Sequence, residues 1–334
     1  MKIALLLLMA SALPLAAQPK KLVNAQVDKR SASAGLESVF RALVTTQPQP
    51  AWIGYTVPAA RGRQFGCDSY WRENEFTVAG GTVHLEPPSE ALVLYRVDAN
   101  QVGRIRTLAN DCDIDAGGVP VHWLTDVRPA ESVALLASFV TSPDHSMDSA
   151  MNAIGLHADP AADAALERFA QPDQPESVRQ KAANWLGAAR GRRGFEALKK
   201  MMANDPSDRV RERAVQAMAN SKEPESIDLV IATARNDRSP RVRGQALSTL
   251  SRKAGIKAAG PIQQAIENDP ERDVKRRAVS ALQQMPNGEG IPLLIQLAKT
   301  SHNPEVRKQA MSSLGQSRDQ RAIAFFEDVL KAKP

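Results

Sequence analysis

The stretch Asp205-Pro-Ser-Asp-Arg-Val-Arg-Glu-Arg-Ala-Val-Gln-Ala-Met218 decides the reading of this chain, because its pattern returns at a fixed spacing through the C-terminal half. Valines stand at Val178, Val210, Val242, Val274 and Val306, each 32 residues after the last, and a basic residue follows each one. Ala182, Ala214, Ala246, Ala278 and Ala310 keep the same interval, as do Leu186, Met218, Leu250, Leu282 and Leu314. Within a unit the apolar positions fall at i, i+4 and i+8, which is one face of a helix. A second apolar face follows. It reads Phe195, Leu198 and Met202 in one unit and Ile227, Val230 and Ala234 in the next, then Ile291, Leu294 and Ala298, and last Ile323, Phe326 and Leu330. Each unit is therefore a helix pair. A pair this short cannot bury its faces alone, so neighbours must stack into a solenoid.

The pattern Asp-x-x-x-x-Val-Arg-x-x-Ala-x-x-x-Leu followed by a second helix resembles the short HEAT-like repeats of the phycobilisome-lyase type. The resemblance covers five units from about Asp173 to Leu330, with a fainter unit before them in which Ala150, Ile154 and Leu166 hold the expected places and Asp163 replaces an apolar residue. It implies a mainly α fold, a right-handed α-solenoid with a binding surface, and no chemistry.

Upstream, Met1 to Ala17 combines one lysine, an apolar core and a small-residue end, which reads as a secretory signal peptide cleaved after Ala17. An exported, periplasmic or extracellular protein is expected. No later apolar run reaches the roughly 20 residues of a spanning helix. Removing the leader takes the net charge from +6 to +5. Residues 18–33 are polar and without sustained period, and read as a linker. A small α+β domain is expected over 34–128. It opens with a helix carrying Leu36, Val39, Phe40 and Leu43. Hairpins follow over Phe76 to Leu85 around Gly80-Gly81, and over Ala91 to Val97 with Val102 to Leu108. Val119 to Leu124 reads as an edge strand, where Pro120 is tolerated. Residues 129–172 read as a connecting helix and the degenerate first repeat, and 173–334 as the repeats. Segments such as 50–58 and 111–124 resemble the front domain of exported bacterial HEAT-repeat proteins.

Cys67 and Cys112 are the only cysteines, and in an oxidising compartment an even pair closes a disulfide. Adding His84 and His122 makes a Cys2His2 zinc set, and a Cys–His nucleophilic pair would make a thiol hydrolase. The spacing lacks the clustering such zinc sites show. Asp111, Asp113 and Asp115 start like a calcium loop, but Ala116 and His122 occupy the places where glycine and glutamate are required. No metal or cofactor set is assigned, and no catalytic residue.

Six of the fifteen aromatic residues, Trp52, Tyr55, Phe65, Tyr70, Trp71 and Phe76, crowd one segment. They read as the core of a small sheet. The alternative is a glycan-binding or anion-binding patch of Trp52, Tyr55, Tyr70 and Trp71 with nearby arginines. The basic column Arg179, Arg211, Arg243, Lys275 and Arg307 lies six residues after Asp173, Asp205, Asp237, Asp269 and Ser301, so a ladder of intra- and inter-repeat ion pairs is expected in place of nucleic-acid binding.

The candidate binding face is the exposed side of the second helices: Lys199, Lys200, Ile231, Gln263, Gln264, Ile295, Gln296, Glu327 and Asp328. Its mixed charge suits a polypeptide more than a polyanion. Arg190, Arg192 and Arg193, with Arg252, Lys253 and Lys257, form a basic edge suited to an anionic envelope component. No His-Glu dipeptide of the iron-hydroxylase kind occurs. The sequence therefore points to a non-enzymatic interaction scaffold.

Overall fold

The structure, a computed structural model, describes residues 21–60, 65–67, 69–72, 75–78, 86–141 and 147–331. The expected leader lies outside the described residues. The chain forms two compact units, Met1–Ala165 and Leu166–Pro334.

The first unit is built on a five-stranded sheet. Its strands are β1 (Lys21–Val23), β2 (Gln26–Ser31), β3 (Ala51–Pro58), β4 (Ser69–Arg72), β5 (Glu75–Val78), β6 (Glu90–Asp98), β7 (Gln101–Ala109), β8 (Asp113–Asp115) and β9 (Pro120–Thr125). The main sheet runs β2-β9-β3-β6-β7, while β1 pairs with β8 and β4 with β5. Strands β3 and β6 are central and buried on both faces, which explains the unbroken apolar run from Ala91 to Tyr95. One face carries Tyr55 and Tyr95 against α1 (Leu36–Thr45) and α2 (Pro129–Val140), with the Phe40 ring 4.7 Å and the Phe139 ring 5.9 Å from Tyr95. The other packs Leu92, Leu94, Val121 and Trp123 against Cys112 and Ala116. Gly54 sits where a Cβ would lie 2.6 Å from Leu94 and 3.0 Å from Trp123, so only glycine admits the indole.

Three expectations change here. Residues 21–31, expected as a linker, contain β1 and β2, and β2 pairs in parallel with β9. Every residue of β2 is exposed, so it shows no period. Its Asp28-Lys29-Arg30 blunts a free sheet edge. Second, β9 is an interior strand between β2 and β3. Pro120 is its first residue, where a missing N–H is tolerated. Third, β5 pairs with β4 ahead of it, and residues 79–85, where the Gly80-Gly81 turn was expected, lie outside the described residues. The β6–β7 hairpin forms as expected, with Ala99 and Asn100 at φ 49° and 61°, the positive values its two-residue turn requires. Helix α3 (Met147–Leu156) completes the unit, and α4 (Pro160–Phe169) spans the boundary.

The second unit alternates first and second helices. The first helices are α5 (Glu176–Ala189), α7 (Asp208–Met218), α9 (Pro240–Ala254), α11 (Arg272–Gln283) and α13 (Pro304–Gln316). The second helices are α6 (Gly191–Asn204), α8 (Ser226–Asn236), α10 (Ala259–Asn268), α12 (Ile291–Thr300) and α14 (Gln320–Lys331). Each first helix packs on the first helix of the next repeat. The valine, alanine and leucine columns are all buried, Val306 being the most exposed at 4%. Gly290, at the head of α12, lies so close to the preceding helix that a Cβ would meet the Leu282 carbonyl oxygen at 1.8 Å. In α14 the register shifts. Ala322 and Phe325 face the core, while Ile323 is 44% and Leu330 86% exposed, because no helix among the described residues lies beyond α14 to cover them.

Candidate protein-binding face

The arginine column is the skeleton of this unit. Arg211 is fully buried, and its Nε and Nη2 donate to the two Asp237 carboxylate oxygens, both at 3.0 Å. Its Nη1 donates to the Asp205 carbonyl at 2.9 Å, and Nη2 also reaches Asp208 at 2.8 Å. The same fork joins Arg179 to Asp205 and Arg243 to Asp269. Each pair therefore crosses from one repeat to the next, with the carboxylate 26 residues after the arginine. Each aspartate also accepts the backbone N–H two residues on, as Asp237 does from Ser239 at 2.8 Å. The Arg211 and Arg243 guanidiniums are held more firmly charged by the hydrogen bonds they donate to Asp237 and Asp269. Burial works against the Asp269 carboxylate, but Arg243 and the Glu271 N–H outweigh it and lower its pKa. The ladder stops at Lys275, which donates to the Glu267 carbonyl, and Ser301 stands in the next aspartate's place. These arginines are interior cross-links, as the ion-pair reading expects.

This skeleton fixes the second helices, which leave grooves between them. One groove of about 630 Å³ involves α6 and the end of α4, with Ala170, Pro172, Ala197 and Met201 beside Glu167, Arg193, Lys200 and Asn204. The next, about 410 Å³, lies between α6 and α8, lined by Lys199, Met202, Leu229 and Asn236 among others. Both mix apolar floors with charges of either sign. Arg193 holds Glu167 through two hydrogen bonds, the Nη2 one at 3.0 Å, and keeps that carboxyl below the usual range. Arg192 pairs with Glu196 at 2.8 Å and Glu225 at 2.7 Å, so this edge is not a free cationic rim.

All nine predicted face residues lie on second helices. Lys199, Lys200, Gln264, Gln296, Glu327 and Asp328 are exposed, and Ile231, Gln263 and Ile295 are half-buried. Lys199 and Lys200 line different grooves, while Ile231 and the residues from Gln263 onward line neither. Glu167, Met201 and the asparagines were not singled out in the sequence, although Asn204, Asn236 and Asn268 share the 32-residue interval that would have flagged them.

In the first unit the aromatic segment resolves toward core. Tyr55 is fully buried and Trp52 is half-buried beneath the Arg96 guanidinium, 5.7 Å from its ring. Tyr55 therefore cannot belong to an exposed ligand patch. The side chains of Tyr70, Trp71 and Phe76 lie outside the described residues. Cys67 and Cys112 form a disulfide with Cα atoms 5.2 Å apart. That removes both thiolates from the zinc set and from a thiol nucleophile. His84 lies outside the described residues, and His122 bonds Asp28 and Gln47. Among the described residues, the one grouping with metal-ligand proximity is Cys67, Asp111 and Cys112, whose sulfurs are already bonded to each other.

A serine–histidine contact does occur. His157 Nδ1 donates to the Ala153 carbonyl at 2.7 Å, so Nε2 accepts from the Ser132 hydroxyl at 2.9 Å. Ser132 then accepts from Tyr55 at 2.8 Å, and Tyr55 from Tyr95 at 2.7 Å. All four residues are fully buried, and burial pushes the Tyr55 hydroxyl up to about 12. The chain satisfies polar atoms inside the core, where no substrate reaches the serine.

The HEAT-repeat family model matches residues 164–251 and 260–334. Solved structures to which the chain is similar include human deoxyhypusine hydroxylase in complex with glycerol. It is 14% identical with a TM-score of 0.34, covering 62% of this chain and 92% of that one. The Escherichia coli protein YibA is 24% identical with a TM-score of 0.40, covering 59% and 75%. The CpcE–CpcF complex of phycocyanin lyase from Nostoc sp. PCC7120 is 17% identical with a TM-score of 0.37, covering 45% and 97%. No curated protein matches the chain. With its buried valine, alanine and leucine columns and its matched repeats, the second unit of the chain is an array of HEAT repeats.

Proposed function

We propose that this chain is an exported, non-enzymatic scaffold whose second-helix face grips a polypeptide. The observation that carries the reading is the pair of adjacent grooves on α6 and its neighbours, each with an apolar floor and charged walls of both signs. Such a lining matches the apolar core and polar rim of a protein interface, and a polyanion would meet Glu167, Glu196 and Asp237 there. Export rests on the leader-like Met1–Ala17 stretch and fits a chain whose two cysteines are joined.

Site-specific photo-crosslinking tests the reading. A photoreactive residue placed at Ala232 or Gln264 on second helices should capture one defined polypeptide from the cell-envelope fraction. The same residue at Asn184 or Arg276, exposed on first helices, should not. Capture from the first-helix positions alone would overturn the assignment of the face. Conversion of the captured molecule to a product by the purified chain would overturn the non-enzymatic reading.

A further inference from the structure

The three rungs of the arginine–aspartate ladder carry a second, outward-facing column. Asn204, Asn236 and Asn268 are the last residues of α6, α8 and α10, and each immediately precedes a ladder aspartate, Asp205, Asp237 or Asp269. All three asparagines are exposed. Among the described residues none of their carboxamides makes a hydrogen bond. Asn204 lines the larger groove and Asn236 the next. One repeat further, where the ladder aspartate is replaced by Ser301, the asparagine is replaced by Thr300, whose hydroxyl bonds the Gln296 carbonyl of its own helix. The outward amides and the inward ion pairs therefore begin and end together. Each ladder aspartate is fixed by its arginine and by the N–H two residues on, which sets the place of the adjacent asparagine Cα in every one of the three repeats.

A carboxamide presents a donor and an acceptor side by side, which matches the N–H and C=O of a peptide main chain. Stacked helices stand about 8–10 Å apart, which sets the interval between successive amides. A polyproline II segment rises about 3.1 Å per residue with three residues per turn, so it turns an equivalent peptide group to one side every ~9.3 Å. A β-strand repeats its facing every two residues, roughly 6.6 Å, and falls out of step. Polyproline II also leaves its backbone groups unpaired. We propose that the asparagine column binds the main chain of a polypeptide segment in polyproline II conformation, one peptide group per repeat. This inference rests on the protein-binding reading above and specifies the conformation of the partner. Lys200 shares the first groove with Asn204 and favours an acidic side chain at that end.

The test is a selection of random twelve-residue peptides on the full chain, repeated on Asn204→Ala/Asn236→Ala/Asn268→Ala. The three side chains are exposed, so the variant should keep the wild-type circular dichroism and melting temperature. The expected peptides carry proline recurring with period three, show a polyproline II spectrum, and bind about tenfold more weakly to Asn236→Ala. Their affinity for the triple variant should fall at least about a hundredfold. Asn236→Asp, which keeps the shape and loses the donor, should weaken binding as Asn236→Ala does. Peptides with apolar residues at i, i+3, i+4 and i+7, or peptides that bind the triple variant as tightly as wild type, would overturn the inference. If Lys199→Glu/Lys200→Glu abolished the binding of such peptides, the protein-binding reading would stand without the asparagine column. Failure to select any peptide would overturn both.

Discussion

Replacing Asp237 by alanine leaves the buried Arg211 guanidinium with the half-exposed Asp208 as its remaining carboxylate partner. The Arg211–Asp237 pair is closed on both sides, with side-chain exposures of 1% for Arg211 and 6% for Asp237, and the substitution removes both guanidinium bonds to Asp237 and the bond from the Ser239 N–H. Removing one partner of a buried ion pair costs about 3–5 kcal/mol, and the surviving Asp208 contact puts this variant toward the lower end. For a unit of this size that lowers the melting temperature by roughly 6 to 20 °C. The double variant Arg211→Met/Asp237→Ala removes the charge together with its partner and keeps apolar volume, so it should recover more than half of the loss. Urea titration of the full chain, read alongside hydrogen exchange in α7 and α8, measures both. A loss below about 1 kcal/mol for the single variant, or a double variant no more stable than the single, would refute the view of the ladder as a set of buried cross-links.

Other outcomes follow from the same geometry. The Ser239 hydroxyl, then Arg211, lowers the Asp208 pKa, and Arg193 lowers that of Glu167, from ordinary values of 3.8 and 4.5. These groups stabilise the folded array fully above their unfolded values and lose that contribution as pH falls through their lowered folded values. The urea midpoint should hold from pH 7 to about 5 and fall below about 4, and an increase on acidification would contradict the assignment. Reducing Cys67–Cys112, or replacing both cysteines by alanine, should destabilise the first unit by about 2–4 kcal/mol and leave hydrogen exchange in α7 to α10 unchanged. Because Lys275 and Ser301 end the ladder, amides of α13 and α14 should exchange faster than those of α7 and α9. Equal protection along the array would mean that apolar packing alone holds the repeats.

The helical array was legible because Val210, Ala214 and Met218 and their counterparts are buried by the same neighbour in every repeat. Their period survives in the sequence for that reason. The arginine column was legible as ion pairs, but the partner was not. Arg211 donates to the carbonyl of Asp205, six residues before it, and gives its fork to the carboxylate of Asp237 in the following repeat. Only stacking reveals that preference. Strand β2 was invisible because an exposed charged edge buries nothing and so leaves no alternation. Strand β9 reads as peripheral because of Pro120, whose effect is confined to the first position of an interior strand. In α14, Ile323 and Leu330 keep the repeat pattern in sequence while facing outward, since composition does not record whether a further helix covers them. The grooves depend on helix spacing, and side chains from α4 and α6 meet there without any shared motif.

Hydrogen exchange of the full chain, with and without a saturating bound polypeptide, tests the central claim most directly. The account predicts slowed exchange along α6, α8 and α10, with the exposed faces of the first helices α5, α7 and α9 unchanged. Protection confined to the first helices, or to the first unit, would contradict it.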